Sequence, residues 1–195
     1  RKDSRIHRMN LARNADRSSS AMTPHRRSIA DFLPPLLVLL AVIALYGPAI
    51  DAPLIFDDIT FFFFFYASAY GASFQFLSSR FWSSFSLAFQ RIIFGDNVAQ
   101  FRAVNIALHL LTGGALYLFL RTLLASRLSS VTHDEQCSRS RQLAIWLAVL
   151  LFLIHPIAVY GVAYLVQRSI VMATLFTLLM WWAHLRGLES GKPTW

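Results

Sequence analysis

The stretch Phe56–Tyr66, FDDITFFFFFY, sets two adjacent carboxylates directly before five consecutive phenylalanines. An ionised Asp is stable where water reaches it, and a block of Phe is stable where lipid or protein removes it from water. A membrane surface offers both within a few ångströms. The composition points the same way: 56% of the 195 residues are hydrophobic, 14% are charged, and mean hydropathy is +0.50. Water-soluble domains carry more charge than this. The net charge of +8 lies in segments flanking long apolar runs, with no basic face on a polar domain, so membrane topology accounts for it and no nucleic-acid partner is expected. Cys137 is the single cysteine, which excludes an intrachain disulfide and a Cys-based metal cluster. The chain has no Walker loop, GxGxxG, GxSxG or Cys/His zinc spacing, so soluble nucleotide chemistry is unsupported.

Working outward from this stretch, four segments approach the roughly 20 apolar residues that cross a bilayer. They predict helices over about 32–50, 101–125, 142–165 and 169–185. Pro34 and Pro35 fall in the opening turn of the first, where missing N–H groups do least harm. Pro156 is expected to end or kink the third, and Trp181 and Trp182 close the fourth with side chains suited to an interface. The expected fold class is an all-α, multi-pass integral membrane protein with about four transmembrane helices and an outer loop of interfacial helices. Residues 1–31, rich in Arg and Ser, read as a disordered basic tail, 32–186 as the transmembrane region, 51–100 as the outer loop and 187–195 as a second tail. The opening RKDSRIHRMN has no initiator Met, and ESGKPTW follows closely on an apolar segment, so a portion of a longer protein is expected.

Orientation follows from Lys and Arg. Eight lie in the amino-terminal tail, four around the second connection (Arg121, Arg127, Arg139, Arg141) and two after the fourth helix (Arg186, Lys192). Arg80, Arg91, Arg102 and Arg168 fall on the other side, which predicts a cytoplasmic amino terminus and puts Asp57 and Asp58 outside. The outer loop alternates aromatic clusters with Ser, Gln and Arg, a mixture suited to helices lying along the membrane plane. The polar segment SRLSSVTHDEQCSRSR reads as a cytoplasmic connector.

Several polar sets could carry chemistry. Asp57 and Asp58, with Asp51 nearby, could hold a divalent metal, or one could act as a general base while the other orients it; the alternative is an acidic juxtamembrane turn. An interfacial Arg can bind a phosphate, with Arg168 the better candidate, or snorkel to headgroups, the better reading for Arg91. Asn105, His109 and Gly113, four apart, share one face of the second helix, where polar and small residues favour helix packing. His155, at the helix break, could contact substrate or stabilise the turn.

The order FDD, RFWSSFSLAFQRIIFG, FRAVNIALHLL and LLFLIHPIAVYGVAYLVQRSIVMATLF resembles the amino-terminal part of the GT-C superfamily of membrane glycosyltransferases. It looks closest to the bacterial proteins that join such a domain to tetratricopeptide (TPR) repeats and to the transmembrane and TPR-containing O-mannosyltransferases. The resemblance covers about residues 32–185 and is most specific in HPI, VAYLVQRS and ATLF. It implies transfer of a sugar from a polyprenyl-phosphate carrier to an extracytoplasmic acceptor, such as a protein hydroxyl, at the bacterial inner membrane. It makes Asp57 or Asp58 the base, with Arg80 and Arg168 against the departing lipid phosphate. It also implies a lipid-linked sugar donor, membrane lipid and further helices of the same protein as partners, because such enzymes commonly have eight or more spanning helices. The chain departs from the pattern at Tyr160, where members often carry a polar or acidic residue. The alternative function is a non-catalytic membrane module, or a degenerate fragment, that packs against another membrane subunit. A transporter would need intramembrane charges along a path, and the predicted spans show His109 but no central acidic or basic pair.

Overall fold

A computed structural model describes residues 29–60, 80–128 and 135–190, and in these residues the protein is helical without strands. The helices are α1 (Ile29–Tyr46), α2 (Asp57–Thr60), α3 (Phe81–Phe94), α4 (Val98–Leu128), α5 (Glu135–Leu153), α6 (Ala158–Ala163) and α7 (Arg168–Ser190). Single 3-10 turns follow α1 (Gly47–Ala49) and precede α7 (Leu165–Gln167). The chain forms two compact units, Arg1–Leu33 and Pro34–Trp195. The first is described only through the opening residues of α1, and the second holds the bundle. The phenylalanine run 61–65, the rest of the loop to residue 79 and most of both tails lie outside the described residues.

Four segments are long and apolar enough to cross a membrane: Phe32–Ala49, Val98–Ala125, Gln136–Ile154 and Leu165–Ser190, of 18, 28, 19 and 26 residues. The protein is thus an all-α, multi-pass membrane protein. Its helix ends differ from the sequence expectation for local reasons. Pro34 and Pro35 fall inside α1 instead of in its opening turn, because the helix starts earlier, and each withholds an N–H from the carbonyl four residues before it. The second spanning helix begins at Val98 because Asn97 caps it, its Oδ1 accepting from the N–H of Ala99 at 3.1 Å. α5 begins at Glu135, within the expected polar connector, since EQCSRSR contains neither Gly nor Pro to stop it. It ends at Leu153, where Pro156 cannot donate to the carbonyl of Phe152. The expected third helix to residue 165 is therefore two helices, α5 and α6. α7 runs on to Ser190, beyond the expected end at 185.

The core is a set of i, i+4 stripes. Val38, Val42 and Tyr46 of α1 meet Ile145, Val149 and Leu153 of α5, with Val162 of α6 joining them. α4 packs along α7 and α5 and also touches α3 and α6. Gly113 lets α5 approach α4 closely: a Cβ there would lie 2.6 Å from Leu153 Cδ1, whereas one on Gly114 would meet nothing within 4 Å. α3 is turned inside out. Ser83, Leu87 and Gln90 face the protein, and Trp82, Phe85, Phe89 and Ile92 face outward, the pattern of a helix that offers its apolar side to lipid.

Chain direction gathers the carboxyl ends of α1 and α5 and the amino ends of α4 and α7 at one end of the bundle. The hydrogen bonds that join them make this the polar end, and FDD lies there.

Two outcomes test this packing. Gly113→Ala destabilises the protein by about 1–3 kcal/mol through overpacking, while Gly114→Ala is neutral or stabilising because Ala is the better helix former. Thermal unfolding in detergent separates the two. In a variant retaining Trp82 as its only tryptophan, brominated acyl chains quench the fluorescence strongly; absence of quenching would mean that protein covers the face.

Candidate functional site

The polar end is built from helix termini, and each terminus leaves backbone groups that the helix itself cannot pair. In a membrane protein these groups need partners from the protein. At the end of α5, the N–H of Ile157 bonds to His155 Nδ1 at 3.3 Å and so is not available to the carbonyl of Leu153. That carbonyl instead accepts from Tyr46 Oη at 3.1 Å and from His109 Nε2 at 3.0 Å. The Tyr46 and His109 rings meet edge to face, with centroids 5.6 Å apart. His109 therefore joins α4 to α5 and α1.

Arg102, 3% exposed, caps the chain leaving α1. Its Nη1 donates to the carbonyls of Ile50 and Ala52, and its Nη2 to that of Pro53. Arg168, 1% exposed, ties three helices together. Nε donates to Asn105 Oδ1 at 2.6 Å, and Nη2 donates to Gln90 Oε1 at 2.7 Å and to the carbonyl of Phe101 at 3.1 Å. Asn105 in turn donates through Nδ2 to the carbonyl of Val162 at 3.1 Å. A cation at the start of α7 is disfavoured by the helix dipole, and this shell of oxygens offsets the cost. Arg168 is thus buried inside the bundle, away from any lipid headgroup, whereas the phosphate-binding expectation needs an accessible guanidinium. Arg80 is exposed, at the residue preceding α3, and Arg91 pairs with Asp96.

The two aspartates have different situations. Asp58 is 1% exposed. Its two oxygens accept from the N–H groups of Leu165 and Val166, both at 3.0 Å, so it works as an N-cap supplied from more than a hundred residues away. Burial raises its pKa above the usual carboxylate value, against the opposing pull of these hydrogen bonds and of Arg102. The side chain of Asp57 is exposed, while its backbone N–H donates to Tyr164 Oη at 2.9 Å. Phe56 between loop and α2 has φ +50°, a left-handed conformation costing about 1–3 kcal/mol in a non-glycine residue. The bonds at Asp57 and Asp58 tie the residues that follow that turn to Tyr164, Leu165 and Val166. Asp51 is exposed, one loop earlier.

As a metal site the pair fits poorly, because both Asp58 oxygens are engaged by the backbone. Among the described residues no three His, Cys, Asp or Glu side chains are grouped to hold an ion. His155 is exposed at the α5–α6 break, where its bond to Ile157 stabilises the turn.

Next to these groups lies a cavity of about 340 Å³, lined among others by Arg102, Tyr160 and Tyr164. The tyrosines and the capping role of Arg102 were not evident from the sequence, where Arg102 counted only among four outer arginines. The narrow stripe Ser83, Ser86, Gln90 on an otherwise apolar helix was a usable signal for the Arg168 site, since a polar stripe flanked by aromatics has to face protein. Comparison with protein-family models, with curated proteins and with solved structures finds no match for this chain.

Asp58→Asn leaves one oxygen to accept and turns an amide donor toward a backbone N–H, so it destabilises the fold by about 1–3 kcal/mol, while Asp57→Asn leaves stability near that of the parent. Because folding raises the Asp58 pKa, the folded state binds more protons between the unfolded value and the raised one. The contribution of Asp58 is therefore full below the unfolded value and falls as pH rises through the folded one. Unfolding measured against pH should lose this component in Asp58→Asn.

Proposed function

We propose that this chain is the amino-terminal portion of a membrane glycosyltransferase that moves a sugar from a polyprenyl-phosphate carrier to an acceptor hydroxyl outside the cytoplasm. The observation that carries the proposal is the division of labour within FDD. Asp58 is committed to holding α7, and Asp57 stands exposed on a strained turn, one hydrogen bond from a cavity wall. Strained backbone held by surrounding bonds is a recurrent feature of functional sites, and an exposed carboxylate on such a turn is open to accept a proton.

In this reading Asp57 takes the proton from the acceptor hydroxyl as its oxygen attacks the anomeric carbon. The bond from that carbon to the carrier phosphate breaks, and the electron pair leaves with the phosphate. Arg80 is the exposed arginine of the two that the resemblance assigns to that phosphate, and its charge would oppose the negative charge that grows there. Arg168 acts by positioning: it fixes α3, α4 and α7 around the loop. The cytoplasmic amino terminus, which puts the polar end outside, is part of the proposal and rests on the distribution of Lys and Arg. A protein Ser or Thr is the acceptor implied by the resemblance, and the bacterial inner membrane is the implied location.

In the complete protein, Asp57→Asn should lower sugar transfer by about 10²- to 10⁴-fold, the usual contribution of general base catalysis, with membrane insertion and unfolding temperature unchanged. Transfer measured with a radiolabelled lipid-linked sugar decides the matter. Full activity in Asp57→Asn would end the assignment of Asp57 as base, and absence of transfer by the complete parent protein would leave a non-catalytic packing module, a role the buried bonds of Asp58, Asn105, His109 and Arg168 would also serve.

A further inference from the structure

The cavity at the polar end has a hydrogen-bonding character that the proposed base does not use. Its volume of about 340 Å³ lies toward the lower end of the range for small-ligand sites. Pro53, Pro156 and Val159 give it apolar walls. Tyr160 and Tyr164 stack with centroids 5.4 Å apart and an interplanar angle of 23°, adding aromatic surface.

The remaining wall is rich in donors. Tyr160 Oη accepts from Gln167 Nε2 at 3.0 Å and Tyr164 Oη accepts from the N–H of Asp57 at 2.9 Å. Each phenol therefore keeps its own O–H to donate. Arg102 commits Nη1 and Nη2 to three carbonyls, yet its buried Nε has no partner. The surroundings also weigh against an anion. Asp51 and Asp58 both act on the Arg102 charge, and the backbone carbonyls already face its guanidinium, so little positive potential is left for a phosphate.

Donors, aromatic faces and apolar walls without surplus positive charge suit a neutral ring that carries many oxygens. We infer that this cavity seats a sugar ring, with Tyr160 and Tyr164 donating to its oxygens and the tyrosine and proline surfaces covering its C–H faces. The inference rests on the reading of the chain as part of a glycosyltransferase, and it gives the sugar and the phosphate of the carrier separate places. Tyr160 becomes a specificity residue at the position where the resembling enzymes often carry a polar or acidic side chain.

The test uses the full chain in phosphatidylcholine nanodiscs, with Cys137→Ser and Ala163→Cys, since Ala163 lines the cavity. Maleimide alkylation of the new thiol is timed with farnesyl-phosphate-linked mannose or glucose, with farnesyl phosphate alone, and with the methyl glycosides. Alkylation should slow about tenfold with a sugar-bearing lipid, and with a methyl glycoside at higher concentration, but not with farnesyl phosphate. Tyr160→Ala, at an exposed position, should abolish the protection. Equal protection by farnesyl phosphate would place the phosphate here and overturn the inference, as would absence of protection by any probe. Calorimetric titration of the parent chain and of Tyr160→Ala with the same probes reads the same difference without the cysteine. If protection fails while Asp57→Asn still abolishes transfer by the complete protein, the sugar seat is wrong and the enzyme reading stands. If Asp57→Asn is also fully active, the sugar seat and the assignment of Asp57 as base both fall, and if the complete parent protein transfers no sugar, the enzyme reading falls.

Discussion

The structure depends on a requirement that acts at helix ends. A membrane helix pairs its own backbone everywhere except in its first and last turns, and there hydrocarbon offers nothing in exchange. Four such ends meet at one side of this bundle; Asn97 caps the start of α4 locally, and side chains from distant parts of the chain pair the other three. Asp58 takes the N–H groups that precede α7, Arg102 takes the carbonyls after α1, and Tyr46 with His109 takes the carbonyl that Pro156 and His155 leave open at the end of α5. These bonds cross between helices, so they fix the helices' mutual register as well as completing their backbones. Apolar packing through Val42, Val149 and Leu153 brings the helices together, but lipid competes well for such side chains and cannot compete for the caps.

The same requirement separates the two carboxylates of FDD. Adjacent residues in a one-turn helix point in different directions, and only one can reach the start of α7. Asp58 does so and is buried. Asp57 faces away, held through its backbone by Tyr164. Two identical side chains thereby acquire different chemistry from geometry alone: one is an acceptor for the fold, with burial raising its pKa, and the other remains open to whatever approaches the polar end.

Much of the fold could be read from the chain because its decisive signals are local and strong. Apolar length shows the four spans, Pro156 the end of α5, and the spacing of Asn105, His109 and Gly113 a shared face on α4. The helix starts were harder to read, since Asn97 as a cap and EQCSRSR as helix are short polar features with several possible outcomes. The site was legible as a composition of Asp, Arg and His, but the allocation of roles was not. Whether Arg168 meets a phosphate or is enclosed depends on Gln90 and Phe101, 78 and 67 residues earlier, and no local pattern encodes such a distance. The difference between Asp57 and Asp58 likewise depends on which backbone N–H groups the fold brings within 3.0 Å. The polar stripe of α3 is the intermediate case: a long-range contact whose existence, though not its partner, follows from a helix with the wrong face polar.

Where capping and binding share residues, substitution is constrained. Arg102 and Tyr164 both line the cavity and hold the backbone, so changing either alters the scaffold along with the cavity. Tyr160 and Asp57 differ in this respect. Both are exposed, and the one side-chain hydrogen bond described at Tyr160, from Gln167, is itself exposed. They are the two positions at this end where chemistry can change at little cost to the bundle. A scaffold fixed by buried caps can therefore carry different side chains at residues 57 and 160, because the bonds that join the helices are made elsewhere.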